Sequence, residues 1–141
     1  NKLNAQTLLK WQYQTQGKDL KPDFMPERMD GYCDIMEFKM PHLDGKCIVG
    51  TNERKQPSYQ VDSAIAQINK YDEWCSQKIN TDWLEKEYNM KVFKPNKYLI
   101  MGHSSDFTAE DRRRLREERN IIIYTYDEFI EIARYQIYRY R

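Results

Sequence analysis

The sequence predicts an α/β fold in which a mixed central sheet is flanked by helices. Asp30-Gly31 is a turn pair between two extended runs, as in a β-hairpin. After the hairpin, apolar runs typical of buried strands alternate with segments of helical periodicity, which favours one sheet covered by helices. The chain has 141 residues, 40% of them hydrophobic, and this size predicts a single domain over 1–141.

The first half of the chain predicts a helix, a hairpin and a loop. Leucines recur at near-helical spacing over residues 3–14, and Gly17 would end that helix. Residues 20–25 and 32–40 are the predicted arms of the hairpin. Residues 42–57 are polar and contain glycine and proline, so they predict a long loop.

The second half is predicted to alternate helices with buried strands. Its helical segments repeat apolar residues every three to four positions, and Thr108 is a good N-cap. The predicted helices span 58–77, 108–119 and 127–138, and the predicted strands span 97–101 and 120–126. Residues 78–95 stay open between irregular structure and a short helix.

Charge and cysteine usage narrow the class of protein. The net charge is only +1, so any surface for nucleic acid is expected to be a local patch or to be completed by other subunits. Three widely spaced cysteines without a C-x-x-C pair predict reduced structural thiols in a cytoplasmic protein. No apolar run is long enough to cross a bilayer. The chain begins on Asn1 rather than Met, which suggests a fragment of a longer protein.

Most of the candidate catalytic side chains lie on the second arm of the predicted hairpin. Side chains of a strand alternate between faces, so Glu37 and Lys39 point the same way while Asp34 points the other way. Asp23, on the neighbouring arm, could bring a second carboxylate to the face of Glu37. Asp34 is the rival second carboxylate, because a bulge at the start of the strand would turn it to that face. We prefer Asp23.

Two carboxylates favour a hard divalent cation. Asp23, Glu37 and a backbone carbonyl such as that of Phe38 would suit Mg²⁺ with several retained waters. Such an ion polarises a phosphodiester and lowers the pKa of a bound water. Lys39 would orient that water and offset charge building on the phosphorane.

Written out, Pro22-Asp23 followed by Glu37-Phe38-Lys39 is the signature of the PD-(D/E)XK, restriction-endonuclease-like superfamily. The bare triplet equally suits an exposed edge strand with a surface ion pair. Gln67 and Tyr71 fall on one helical face at i, i+4. Several members of the superfamily place a Gln-x-x-x-Tyr there to brace the site, and the alternative is a solvated glutamine beside a core tyrosine.

Five segments follow one another along the chain in an order and spacing typical of one family: KPDF, DIMEFKMP, SAIAQINKY, YLIMG and YTYDEF. Through them the chain resembles, over nearly its whole length, the C-terminal nuclease domain of the Shedu anti-phage defence proteins. The resemblance implies a bacterial, cytoplasmic, Mg²⁺-dependent DNA endonuclease or nickase, with Mn²⁺ able to substitute and double-stranded DNA as partner. It also implies N-terminal sensor domains and a homo-oligomer. By position Asp23, Glu37 and Lys39 take the catalytic roles, with Gln67 as the helical contributor.

Two basic segments are candidates for contact with nucleic acid. Lys46, Arg54 and Lys55 lie in the loop after the catalytic strand, where an ordinary surface loop is the other reading. Arg139 and Arg141 end a tail in which cations alternate with aromatics, and subunit packing could use the same residues. The arginines of the helix 108–119 are interspersed with acids, which favours a solvated face of mixed charge over a DNA-binding stripe.

Two hypotheses of function follow. The first is an enzyme that hydrolyses DNA phosphodiesters with metal-activated water. The second is a non-catalytic module for nucleic-acid binding or oligomerisation that keeps the nuclease fold. Metal-dependent cutting of plasmid DNA separates the two, and a fragment that folds but is silent alone is a third possibility.

Overall fold

The computed structural model describes residues 2–12, 17–43, 45, 47–50 and 56–139. The chain divides into two compact units. The first unit comprises Asn1–Glu37 with Ala66–Tyr98, and the second comprises Phe38–Ile65 with Leu99–Arg141.

Short strands and helices make up the described part of the chain, and they alternate in its C-terminal third. The strands are β1 (Ile35–Phe38), β2 (Ile48–Val49), β3 (Gln56–Pro57), β4 (Lys97–Ile100) and β5 (Ile122–Tyr124). The helices are α1 (Tyr59–Cys75), α2 (Lys78–Tyr88), α3 (Ala109–Arg119) and α4 (Tyr126–Arg139), with a short 3₁₀ helix at Ser104–Asp106. A three-stranded parallel sheet has the order β1-β4-β5. The predicted α/β class is therefore confirmed. Within the described ranges, no helix is both long and apolar enough to cross a membrane.

Local capping explains where α3 begins and where α2 and α3 end. The Thr108 hydroxyl accepts the N–H of Asp111, and the Asp111 carboxylate accepts the N–H of Thr108. This capping box starts α3 at the predicted position. Asn89 and Asn120 end α2 and α3 in the left-handed conformation, with φ of 56° and 53°. The segment that the sequence left open thus contains the helix α2.

The predicted helix over residues 3–14 is wrong in its described part. Residues 2–12 are instead irregular and extended, and Leu9 exchanges two backbone hydrogen bonds of 2.7 and 3.0 Å with Leu20. Asn4 and Gln6 have positive φ values of 51° and 48°, which interrupt both helix and regular strand. A short helix is marginal on its own, so pairing with the neighbouring segment decides the structure here.

The predicted loop over residues 42–57 also needs correction. β2 and β3 lie within it and pair antiparallel, with Ile48 opposite Pro57 and Val49 opposite Gln56. Two-residue strands of this kind carry little periodic signal, so the polar composition of the segment hides them.

Each unit has its own apolar core. In the first unit the fully buried side chains include Met25, Ile35, Ile68, Trp74 and Leu84. In the second unit the buried side chains include Val61, Ile65, Ile100, Leu115 and Ile121. Both sets come mainly from the periodic apolar positions of strands and helices, so burial follows the pattern that the sequence shows.

The three cysteines are free and buried, as predicted. Burial raises the pKa of the Cys47 thiol to about 12, and burial also raises the pKa values of Cys33 and Cys75. A thiol is reactive as its thiolate, so these cysteines are unreactive packing groups near neutral pH.

Candidate active site

The hairpin register places Asp23 directly opposite Glu37. Phe24 and Met36 form an antiparallel pair and exchange backbone hydrogen bonds of 3.0 and 2.9 Å. Asp23 precedes Phe24 and Glu37 follows Met36, so the next pair along the ladder is Asp23 with Glu37. Directly opposed residues project from the same face of a hairpin. In addition, the Asp23 backbone N–H donates to Glu37 Oε2 at 3.1 Å.

Glu37 is buried, with 4% of its surface exposed. Burying a carboxylate costs free energy unless hydrogen bonds or opposite charge compensate it. Compensation comes from the Asp23 N–H and from the Tyr71 hydroxyl, which is hydrogen-bonded to the Glu37 side chain. The carboxylate is thereby fixed in one orientation by two different elements, the first arm of the hairpin and α1.

Tyr71 links Glu37 to Gln67. The Gln67 amide donates from Nε2 to the Tyr71 hydroxyl at 2.8 Å, across one turn of α1. Since that hydroxyl accepts from Gln67, its single proton is available for Glu37. Gln67, Tyr71, Glu37 and Asp23 therefore form one connected chain within the first unit.

The Tyr71 pKa is raised well above its ordinary value. Burial is the main cause, and the negative charges of Glu37 and Asp23 add to it, while the hydrogen bond from Gln67 acts in the opposite direction. Tyr71 therefore stays protonated over the working pH range. A protonated phenol remains a donor to Glu37, which is the role that bracing a carboxylate requires.

The donor set around Asp23 and Glu37 fits a hard divalent cation. Mg²⁺ is usually held by one or two carboxylates and keeps several waters. Among the described residues, no group of three or more His, Cys, Asp and Glu side chains is placed to hold a metal. A site built on these two carboxylates would consequently be open, with water and substrate oxygens completing the coordination.

Asp34 has other partners. Its side chain is 3% exposed, Arg28 Nη1 lies 2.8 Å from Oδ1, and the Asn96 backbone N–H donates to the same oxygen at 2.8 Å. The bridges Glu27–Cys33 and Phe24–Met36 lie three positions apart on both arms, so no bulge turns Asp34 to the face of Glu37. These contacts make Asp34 a structural anchor for Arg28 and for the segment before β4.

Lys39 lies in the second unit, one residue beyond the end of β1. Its backbone N–H donates to the Ile100 carbonyl at 2.9 Å, and the Tyr126 hydroxyl donates to its carbonyl. The preceding Phe38 packs edge-on against Phe129, with ring centroids 5.3 Å apart. The backbone of Lys39 is thus held through both its N–H and its carbonyl, while its side chain is half-buried.

One buried cation was missed at the level of sequence. Lys97, at the start of β4, is 6% exposed; its ammonium donates to Asn69 Oδ1 at 3.0 Å and lies 3.6 Å from Asp72. The sequence did offer a signal, because Lys97 is the first residue of a strand that was predicted to be buried. Its partners lie on α1, so only the tertiary structure reveals that it is satisfied.

The residues predicted to contact nucleic acid fall outside the described structure. This holds for Lys46, Arg54, Lys55 and Arg141, and for the side chain of Arg139. Those predictions stay predictions.

The arginines of α3 mostly pair with acids. Arg113 contacts Glu110 and Glu117 along the helix. The other pairs are Arg112 with Glu128, Arg114 with Glu118 and Arg119 with Asp62. The solvated face of mixed charge that the sequence favoured is the arrangement observed.

The fold and the contacts described define an α/β protein in which a buried glutamate on a hairpin, Glu37, accepts the Asp23 N–H and is bonded to Tyr71 of the following helix. Comparison with protein families finds a match to "Shedu protein SduA, C-terminal" over residues 2–130. Since this match covers most of the chain, the protein belongs to the Shedu C-terminal family. A search among curated proteins found no match.

Proposed function

We propose that this protein is a metal-dependent DNA endonuclease or nickase that acts in anti-phage defence. Membership of the Shedu family points to the defence role. The observation that carries the nuclease activity is the pairing of Asp23 with a buried Glu37, which Tyr71 and Gln67 brace. Holding a buried carboxylate beside a second carboxylate lowers the stability of the folded protein unless a cation is bound. A role in cleavage would explain why the chain keeps this arrangement.

Asp23 and Glu37 would hold Mg²⁺, with Mn²⁺ as a substitute. When bound, this cation polarises a phosphodiester oxygen and makes a water molecule more acidic. Glu37 offers one fixed carboxylate because the Asp23 N–H and the Tyr71 hydroxyl restrict it. Asp23 is half-exposed, so solvent reaches part of this residue.

We place Lys39 beside the two carboxylates because side chains alternate between the faces of a strand. Lys39 follows Glu37 by two residues and lies one residue beyond the end of β1, so the proposal extends the alternation of the strand by that one residue. Its ammonium would orient the attacking water and offset the charge that builds on the phosphorane oxygens. Gln67 acts through Tyr71 as a positioning residue and does not itself touch the reacting atoms.

The proposed substrate is double-stranded DNA, and the proposed setting is the bacterial cytoplasm. With a net charge of +1 the chain as a whole attracts DNA weakly. Assembly into a homo-oligomer would combine several local patches and strengthen the attraction.

Incubation with supercoiled plasmid tests the proposal. The protein should nick or cut the plasmid with Mg²⁺ or Mn²⁺ and stop in EDTA. Lys39→Ala should lose the activity. Lys78→Ala is the matched control, because the Lys78 side chain is 85% exposed on α2 and pairs only with Asp82 in the contacts described. If the purified protein binds DNA but leaves the plasmid intact with every divalent metal and in every oligomeric state, the non-catalytic module is the correct account.

A further inference from the structure

A tryptophan with a cation on its ring lies at the end of the N-terminal segment. The Trp11 indole N–H donates to the Lys18 carbonyl at 3.0 Å, and the Lys70 ammonium lies 5.5 Å from the centroid of the Trp11 ring. Trp11 is half-exposed, and the Lys70 side chain is 49% exposed. The indole is therefore fixed in place while part of its surface stays open to solvent.

The surroundings of this pair are basic. The segments that pair as antiparallel neighbours here carry three exposed lysines, Lys10, Lys18 and Lys21. Two acids oppose them: Asp19 is exposed on the same segment, and Glu73 lies 3.1 Å from Lys70. With Asp23, which follows Lys21 by two residues, four lysines stand against three carboxylates, a small local surplus of positive charge.

The position of the pair relates it to the carboxylate site. Lys70 immediately precedes Tyr71 on α1 and lies one turn from Gln67, the two residues that brace Glu37. Lys21 stands two residues before Asp23, on the arm that pairs with Glu37. All of these residues belong to the first unit, so cation, indole and carboxylates are fixed by the same packed body.

We infer that Trp11 and Lys70 bind a nucleotide that the double-stranded substrate presents unpaired, at an end or an opened step, on the same compact unit as Asp23 and Glu37. Its base stacks on the indole and its phosphate pairs with the ammonium. Indole and base surfaces stack whatever the base, and a neighbouring cation neutralises the phosphate. The inference rests on the proposed nuclease function and names the part of its substrate that the protein holds. Lys18 and Lys21 add attraction along the backbone.

Binding measured without cleavage tests the inference. In a Glu37→Gln background, fluorescence anisotropy with a fluorescein-labelled single-stranded oligonucleotide gives the Kd at several salt concentrations. Trp11→Leu should weaken binding by roughly 5- to 150-fold, the range expected for loss of one stacked base. Trp11→Phe retains a ring and should stay much closer to the starting affinity.

Lys70→Met has a different expected signature. It should weaken binding and make the slope of log K against log salt shallower by roughly 0.7, as expected for one lost phosphate contact on a single strand. Trp11→Leu should leave that slope unchanged. Trp83→Leu and Lys78→Met, a half-buried tryptophan and an exposed lysine of α2, are the matched controls and should bind as the background does.

Two results would overturn the inference: an oligonucleotide that does not bind, or Trp11→Leu and Lys70→Met that bind like the controls. Thermal melting of each variant shows whether Trp11→Leu is folded, and Lys70→Met decides the matter if it is not. Failure of the nuclease proposal looks different, since the wild-type protein would then bind the oligonucleotide with the expected sensitivity yet leave plasmid DNA intact.

Discussion

Replacing Tyr71 by phenylalanine tests the brace on Glu37 most sharply. The ring stays, so packing is preserved, while the hydroxyl between Gln67 and Glu37 is removed. Gln67 is exposed, so its amide can bond to water at little cost. Glu37 is 4% exposed and cannot replace its partner in this way.

The magnitude follows from that difference. A hydrogen bond to a charged group is worth about 1.5–3 kcal/mol, so Tyr71→Phe should lower the free energy of unfolding by about that amount. Loss of a group that orients a metal-binding carboxylate reduces metal affinity or activity by roughly 10- to 100-fold. Urea unfolding and plasmid cleavage against metal concentration measure the two effects.

Tyr59→Phe is the matched control, because Tyr59 opens the same helix and is 87% exposed. It should change neither stability nor cleavage. The reasoning is refuted if Tyr71→Phe folds, cleaves within twofold of the wild-type rate, and needs no more metal than the wild-type protein.

Three further outcomes are expected. Mn²⁺ at a hundredfold excess over its Kd should stabilise the protein by about 2.7 kcal/mol, measured as a rise in Tm. Glu37→Gln should abolish this rise, and an equal rise in the variant would contradict the metal assignment. Asp34→Ala should cost about 3 kcal/mol in urea unfolding, because Arg28 and the Asn96 N–H lose a buried acceptor; a loss below about 1 kcal/mol would show that Asp34 is no anchor. Burial alone would raise the Glu128 pKa, but hydrogen bonds from Arg112 and Thr125 outweigh it, and the pKa in the folded protein is lowered. The stability that Glu128 contributes is therefore present above the unfolded pKa of about 4.3 and is lost as pH falls through the folded pKa. The difference in urea midpoint between wild type and Glu128→Gln should therefore shrink on acidification, and a constant difference from pH 7 to pH 3 would contradict this.

Part of the site could be predicted because it depends on residues that are close together in the sequence. Strand alternation placed Glu37 and Asp34 on opposite faces, and helical spacing brought Gln67 to Tyr71. Both relations join residues a few positions apart, so periodicity alone reaches them. The register in which Asp23 opposes Glu37 depends on a three-residue loop over 29–31, and the Asp30-Gly31 pair does not by itself specify that loop.

The features that sequence reasoning missed depend on distant partners. The leucines of residues 3–14 have near-helical spacing, yet pairing of Leu9 with Leu20 decides their conformation. The Gln-x-x-x-Tyr pattern led us to expect a brace by resemblance, but no spacing along the chain names Glu37 as the partner of Tyr71. Lys97 is satisfied by Asn69 for the same reason. Packing overrides local preference wherever a residue's partner lies on another element.

The most direct test of the central claim compares two aspartates in one assay. Nicking of supercoiled plasmid with Mn²⁺ is measured for Asp23→Asn and Asp34→Asn, with circular dichroism to confirm that both fold. Pairing of Asp23 with Glu37 predicts that Asp23→Asn abolishes metal-dependent nicking, while folded Asp34→Asn retains it. The opposite result, an active Asp23→Asn and an inactive, folded Asp34→Asn, would contradict the assignment of the metal-binding pair.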